Sequence, residues 1–147
     1  MDKKIVVVEY TYEAPIEKVW EALTNKDQMK QWYFDLDEFK AEVGFKFEFI
    51  GATKDGTQYK HLCEVTEVIP QQKLTYSWRY EGYEGITYVT FELFEEVEEK
   101  TRLKLTHTGF ETFPAIPDFA IHNFEAGWSD FINVSLKGFL EKVTQKK

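Results

Sequence analysis

The sequence predicts an α+β protein in which a curved antiparallel sheet of about seven strands wraps around a long C-terminal helix. Residues 123–143 repeat apolar side chains at three- and four-residue intervals, the spacing of an amphipathic helix. Most upstream segments alternate apolar and polar residues, as half-buried strands do. We expect a single domain over residues 1–147, because a chain of this length buries a sizeable core.

The N-terminal part is expected to form one strand and two short helices. Lys4 to Tyr12 is rich in β-branched and aromatic residues, which favours a strand. Pro15 suits the first turn of a helix that ends near Asn25. A second short helix is predicted directly afterwards, from Lys26 to Trp32.

About six further strands are expected before the final helix. The first runs from Gly44 to Ile50, and Lys54-Asp55-Gly56 is a hairpin turn signal. The acidic cluster between Glu92 and Glu99 is expected at a solvated hairpin tip. The alternation assigns these residues to the inward faces: Phe45, Phe47, Phe49, Tyr59, His61, Cys63, Val65, Leu74, Tyr76, Trp78, Tyr80, Val89, Phe91, Leu93, Leu103, Leu105 and His107.

Two prolines make residues 109–122 an irregular connection into the final helix. That helix is expected to begin at Asp118 or Asn123, which are both good N-caps. Gly127 predicts a close approach to the sheet, beside a buried Trp128. The core-facing arc is expected to comprise Phe124, Trp128, Phe131, Ser135, Leu136, Phe139 and Val143.

Charge and cysteine content narrow the range of functions. The net charge of −8 argues against nucleic acid and against anionic membrane surfaces, which both require basic patches. Cys63 is the single cysteine, so no internal disulfide can form and a reducing cytoplasm is expected. No signal peptide and no membrane-spanning run is apparent. We therefore expect a soluble cytoplasmic protein, monomeric or weakly dimeric, without membrane insertion.

Four segments together resemble the START-like, helix-grip superfamily (SRPBCC proteins, similar to the Bet v allergens). They are the opening Ala14-Pro15, Val19-Trp20, Leu23-Thr24 and Trp32; the strand Leu74–Trp78; the strand and exit Thr101–Phe110; and Gly127-Trp128. Their order most resembles the C-terminal domain of the activator of the heat-shock protein 90 ATPase. The resemblance covers nearly the whole chain.

The resemblance implies an apolar cavity between sheet and helix, but it does not imply one activity. It suggests a binder of small hydrophobic or aromatic molecules, or alternatively a protein that contacts a chaperone. Relatives often carry glycine near the start of the strand that here holds Tyr59 and His61, so a narrowed cavity is expected. The activator's N-terminal domain has no counterpart in this sequence, which predicts weak ATPase stimulation.

The inward aromatic residues suit a pocket for an aromatic or amphipathic ligand, and they equally suit a packed core. No cofactor is expected. The predicted ligand-binding residues are Trp32, Phe47, Phe49, Tyr59, His61, Cys63, Tyr76, Trp78, Tyr88, His107, Phe110, Phe124, Trp128 and Phe131.

The sequence favours a binding role over three chemical alternatives. His61, Cys63 and His107 lack the four-ligand pattern of a structural metal site, so no metal is expected. A nucleophilic Cys63–His pair lacks an activating helix N-terminus. His107 with Glu125 is the best acid–base pair, for a cyclase or hydratase acting on an aromatic polyketide. The simpler interpretation is that His107 is a hydrogen-bonded histidine at the end of a strand and that Glu125 interacts favourably with the helix dipole.

Overall fold

A computed structural model describes residues 5–33, 36, 38–52, 56–97 and 99–144. The strands are β1 (Ile5–Tyr12), β2 (Lys46–Ala52), β3 (Gln58–Ile69), β4 (Lys73–Tyr80), β5 (Thr87–Val97) and β6 (Lys100–Thr108). The helices are α1 (Ile16–Thr24), α2 (Lys26–Trp32), α3 (Ile121–Asp130) and α4 (Leu136–Thr144), with a π-helical segment (Phe131–Ser135) between the last two. Single 3₁₀ turns cover Phe110–Thr112 and Pro117–Phe119.

The strands form one antiparallel sheet in the order β1-β6-β5-β4-β3-β2. Alternation buries one face of most strands, as predicted, whereas Leu74–Trp78 of β4 are all buried. For example, His61 lies opposite Tyr80, Val8 lies opposite Leu105, and all four are buried. Within the described ranges there are six strands, whereas about seven were expected. Residues 38–45, between α2 and β2, form loop and turn.

Two predicted boundaries change for local reasons. The strand expected from Gly44 begins at Lys46, because Gly44 adopts φ +93° in a turn. The final helix begins at neither predicted N-cap, since Ala120 precedes its first residue. The carboxylate of Asp118 and the side-chain amide of Asn123 are used for other hydrogen bonds. In the predicted hairpin turn, Lys54 and Asp55 lie outside the described residues.

The C-terminal helix, residues 121–144, is interrupted by the π-helical segment. Ile132 and Leu140 are buried and continue the four-residue spacing of Trp128 and Leu136, although neither was included in the predicted arc. The Tyr12 hydroxyl donates a 2.6 Å hydrogen bond to the carbonyl of Ile132. Strand β1 therefore holds the helix at the point where its regular hydrogen-bond ladder changes.

Trp128 lies inside the grip of the sheet, as predicted, and is 3% exposed. Its ring is 5.5 Å from that of Trp78 on β4 and 5.9 Å from that of Phe91 on β5. The helix is thus anchored to the central strands by aromatic packing. No helix in the described part of the chain combines the length and apolarity needed to cross a membrane.

Candidate functional site

A pocket of about 310 Å³ lies where the ends of β2, β3 and β4 meet the start of the C-terminal helix. Its size is at the lower end of the range for small-molecule sites. Most of its lining is aromatic. The lining residues are Gly51, Ala52, Tyr59, His61, Trp78, Tyr80, Asp118, Phe119, Asn123, Phe124, Gly127, Trp128 and Phe131.

Six of the predicted ligand-binding residues line this pocket. They come from β3, β4 and the C-terminal helix, which the sequence alone could not place side by side. They are Tyr59, His61, Trp78, Phe124, Trp128 and Phe131.

The other eight predicted residues lie elsewhere. Tyr88 is 41% exposed on the outer face of the sheet, one position out of phase with the buried Val89, so its assignment to the pocket is corrected. The remaining seven are buried in the protein interior and do not line the pocket: Trp32, Phe47, Phe49, Cys63, Tyr76, His107 and Phe110. Alternation predicts which residues point inward, but not which of them border a cavity.

Several lining residues were not predicted as ligand contacts. Phe119 stacks on Tyr80 with ring centroids 4.7 Å apart and an interplanar angle of 13°. The sequence predicts Asp118 and Asn123 only as possible helix caps. The available signal was Tyr80, which the alternation places inward. Asp118, Phe119 and Asn123 lie in and directly after the irregular connection, which has no periodicity from which their position beside Tyr80 could be predicted.

The polar groups of the pocket are concentrated at the irregular connection. The Tyr59 hydroxyl donates a hydrogen bond to the half-buried carboxylate of Asp118. The amide of Asn123 donates to the carbonyl of Pro117 at 2.8 Å. Strand β3 and the 3₁₀ turn before the helix are therefore joined across the pocket by a hydroxyl–carboxylate contact.

His61 forms part of the pocket wall and is neutral at pH 7. Its ring stacks on Phe49, with centroids 4.4 Å apart, and its Nδ1 lies 3.1 Å from the carbonyl of Tyr59. Because a carbonyl only accepts, Nδ1 carries the proton in this contact. Burial lowers the pKa of His61 to about 4, despite opposing backbone hydrogen bonds. The wall of the pocket at this position is therefore uncharged.

His107 is part of a buried hydrogen-bond chain. The indole N–H of Trp128 donates to its Nδ1 at 3.0 Å, so the ring proton resides on Nε2, which lies 2.7 Å from the hydroxyl of Thr87. That hydroxyl donates to the carbonyl of Trp78 at 2.9 Å. Burial lowers the pKa of His107 to about 3. This geometry connects the helix to β4, β5 and β6.

The remaining candidate chemical groups are not arranged as an acid–base or nucleophilic site. Glu125 is exposed, whereas His107 is completely buried with both ring nitrogens hydrogen-bonded. Burial raises the pKa of the Cys63 thiol well above its usual range, which keeps it protonated and weakly nucleophilic. The described residues contain no group of three or more potential metal ligands.

The predicted close approach at Gly127 is wrong. A Cβ atom added there would meet no atom within 4 Å outside the helix's own backbone, and the residue is exposed on the pocket lining. Glycine in a helix interior costs about 1 kcal/mol relative to alanine. At this position it leaves open space at the edge of the pocket.

The sheet, the gripped helix and the pocket between them define a START-like helix-grip protein. The family described as "Activator of Hsp90 ATPase homolog 1-like protein" matches residues 13–141. The chain therefore belongs to this family. A comparison with curated proteins finds no match.

Solved structures of similar proteins share the fold. DynU16, described by its place in the dynemicin biosynthetic locus, is 26% identical with a TM-score of 0.76 over 95% of this chain, which spans only 48% of DynU16. MLL2253 from Mesorhizobium loti is 28% identical, with a TM-score of 0.75 and coverage of 94% and 97% of the two chains. The Aha1 dimer from Colwellia psychrerythraea is 26% identical, with a TM-score of 0.66 and coverage of 93% and 96%.

Proposed function

We propose that this protein binds a small apolar or aromatic molecule in the pocket between the sheet and the C-terminal helix. The observation that carries the proposal is the pocket of about 310 Å³ with its largely aromatic lining. Aromatic walls with a few polar groups are typical of small-molecule sites. The similar protein DynU16 is described by its place in a biosynthetic locus, and this description is consistent with a small-molecule ligand. We also propose that residues 1–147 form a single domain and that the protein is located in the cytoplasm.

Replacing Gly127 with leucine is expected to reduce ligand binding strongly without loss of stability. The position has space for a side chain, and leucine is a better helix former than glycine by about 0.8 kcal/mol. The measurement is the fluorescence of N-phenylnaphthylamine, a neutral aromatic probe, on titration with protein. We expect saturable binding to the parent protein and strongly reduced binding to the variant.

Gly138→Leu is the matched control, because Gly138 is also exposed in the helix with open space around it, but it does not line the pocket. It should bind the probe like the parent. Equal binding by both variants would place the probe outside the pocket. The proposal fails if the probe does not bind and if lipids, flavonoids and polyketides neither raise the melting temperature nor change the NMR spectrum.

A second candidate function is contact with a chaperone, which the family match favours. The similar Aha1 structure is a dimer, so a weak dimer is the corresponding proposal for this chain. We expect this chain to associate with a cognate heat-shock protein 90, with little stimulation of its ATPase. Co-purification and an ATPase assay measure the two effects. Neither association nor stimulation would remove this candidate.

A further inference from the structure

We infer that the pocket selects aromatic ligands carrying a protonated amine over ligands of the same size that are neutral or carry a carboxylate. This inference rests on the proposed ligand binding and specifies its chemistry. It follows from the distribution of charge and aromatic rings around the pocket.

Asp118 supplies the one formal negative charge among the described lining residues. Its side chain is half-buried, so water screens it less than a surface carboxylate. Tyr59 donates one hydrogen bond to it, and a carboxylate can accept about four. Acceptor capacity therefore remains for an ammonium group, which only donates.

No described lining residue carries a compensating positive charge. His61 is neutral at pH 7 because burial lowers its pKa to about 4. Lys60, its neighbour in sequence, lies on the opposite face of β3, where its Nζ is 2.7 Å from a carboxylate oxygen of Glu48. A bound carboxylate would face Asp118 without a cationic partner, whereas an ammonium would be attracted to it.

The aromatic walls also favour a cation. The rings of Trp78 and Trp128 lie 5.5 Å apart at 59°, and those of Trp128 and Phe131 lie 5.9 Å apart at 56°. All three residues line the pocket. Aromatic rings arranged around a cavity attract alkylammonium groups through their quadrupoles. The net charge of −8 adds a long-range attraction for cations.

Isothermal titration with phenylbutylammonium, phenylbutanol and phenylbutyrate at pH 7 tests the inference. We expect the ammonium to bind at least about tenfold more tightly than the alcohol, the scale of one charge-assisted hydrogen bond, and the carboxylate to bind most weakly. In Asp118→Asn the ammonium and the alcohol should bind with similar affinity. Asp130→Asn, an equal change of charge at an exposed position of α3, should retain the preference.

Tyr59→Phe is a second variant that keeps the carboxylate and should also keep the preference for the ammonium. Equal affinity of the parent for the three compounds, tighter binding of the carboxylate, or a preference that survives in Asp118→Asn would each overturn the inference. Binding of N-phenylnaphthylamine without binding of the ammonium would also overturn the inference. That result would leave the proposed function intact. Failure of all four compounds to bind counts against the proposed function as well.

Discussion

The Trp128→Ala variant is expected to lose about 3–5 kcal/mol of its free energy of unfolding, the usual cost of truncating a buried tryptophan. The side chain is 3% exposed and packs on the rings of Trp78 and Phe91. Its removal also leaves Nδ1 of His107 without its 3.0 Å donor, and a buried unsatisfied acceptor costs about 1–3 kcal/mol. Urea denaturation measures the loss, which is large against a typical total of about 5–15 kcal/mol.

Two further variants separate the causes of this loss. Trp128→Phe retains a large ring and should lose about 1–3 kcal/mol, much of it from the missing N–H donor. Lys137→Ala, on the solvent side of the same helix, removes only a 2.8 Å ion pair with Glu141 and should cost less than about 0.5 kcal/mol. A Trp128→Ala protein with the parental melting temperature would contradict the gripped-helix architecture.

Acidification is expected to destabilise the protein by about 5 kcal/mol between pH 6.5 and pH 4.5 through its two buried histidines. Burial lowers the pKa of His61 to about 4 and that of His107 to about 3. Because these values lie below the pKa of an unfolded histidine, the unfolded state binds protons first as the pH falls. Each histidine then removes up to about 1.4 kcal/mol per pH unit, and above pH 6.5 neither contributes.

Chemical denaturation at a series of pH values measures this dependence. In His61→Phe, which keeps an aromatic ring on Phe49, the histidine-dependent slope should fall by about half. His122→Gln is the control, because it replaces an exposed histidine outside the buried pair. A parental slope in His61→Phe would show that His61 is not held in the neutral form.

The strands and their buried faces follow from the sequence, because alternation encodes which side of a sheet is covered. The parity of β3, for example, predicted that His61 and Cys63 are buried, and both are. The final helix was predicted from its periodicity, but Ile132 and Leu140 were not assigned to its buried side. Both lie four residues from the buried Leu136, so the helical spacing itself was sufficient to place them on the buried side.

The sequence by itself determined the α+β class, the inward set of aromatic residues and the position of Trp128, since each depends on local periodicity and hydrophobic burial. Only the tertiary structure decided which inward residues border open space. Phe47 and Trp78 both belong to the inward, buried face of the sheet, but only Trp78 lines the pocket. The pocket forms where the irregular connection places Asp118 and Phe119 against strands that are distant in sequence. Local sequence patterns do not encode such long-range contacts.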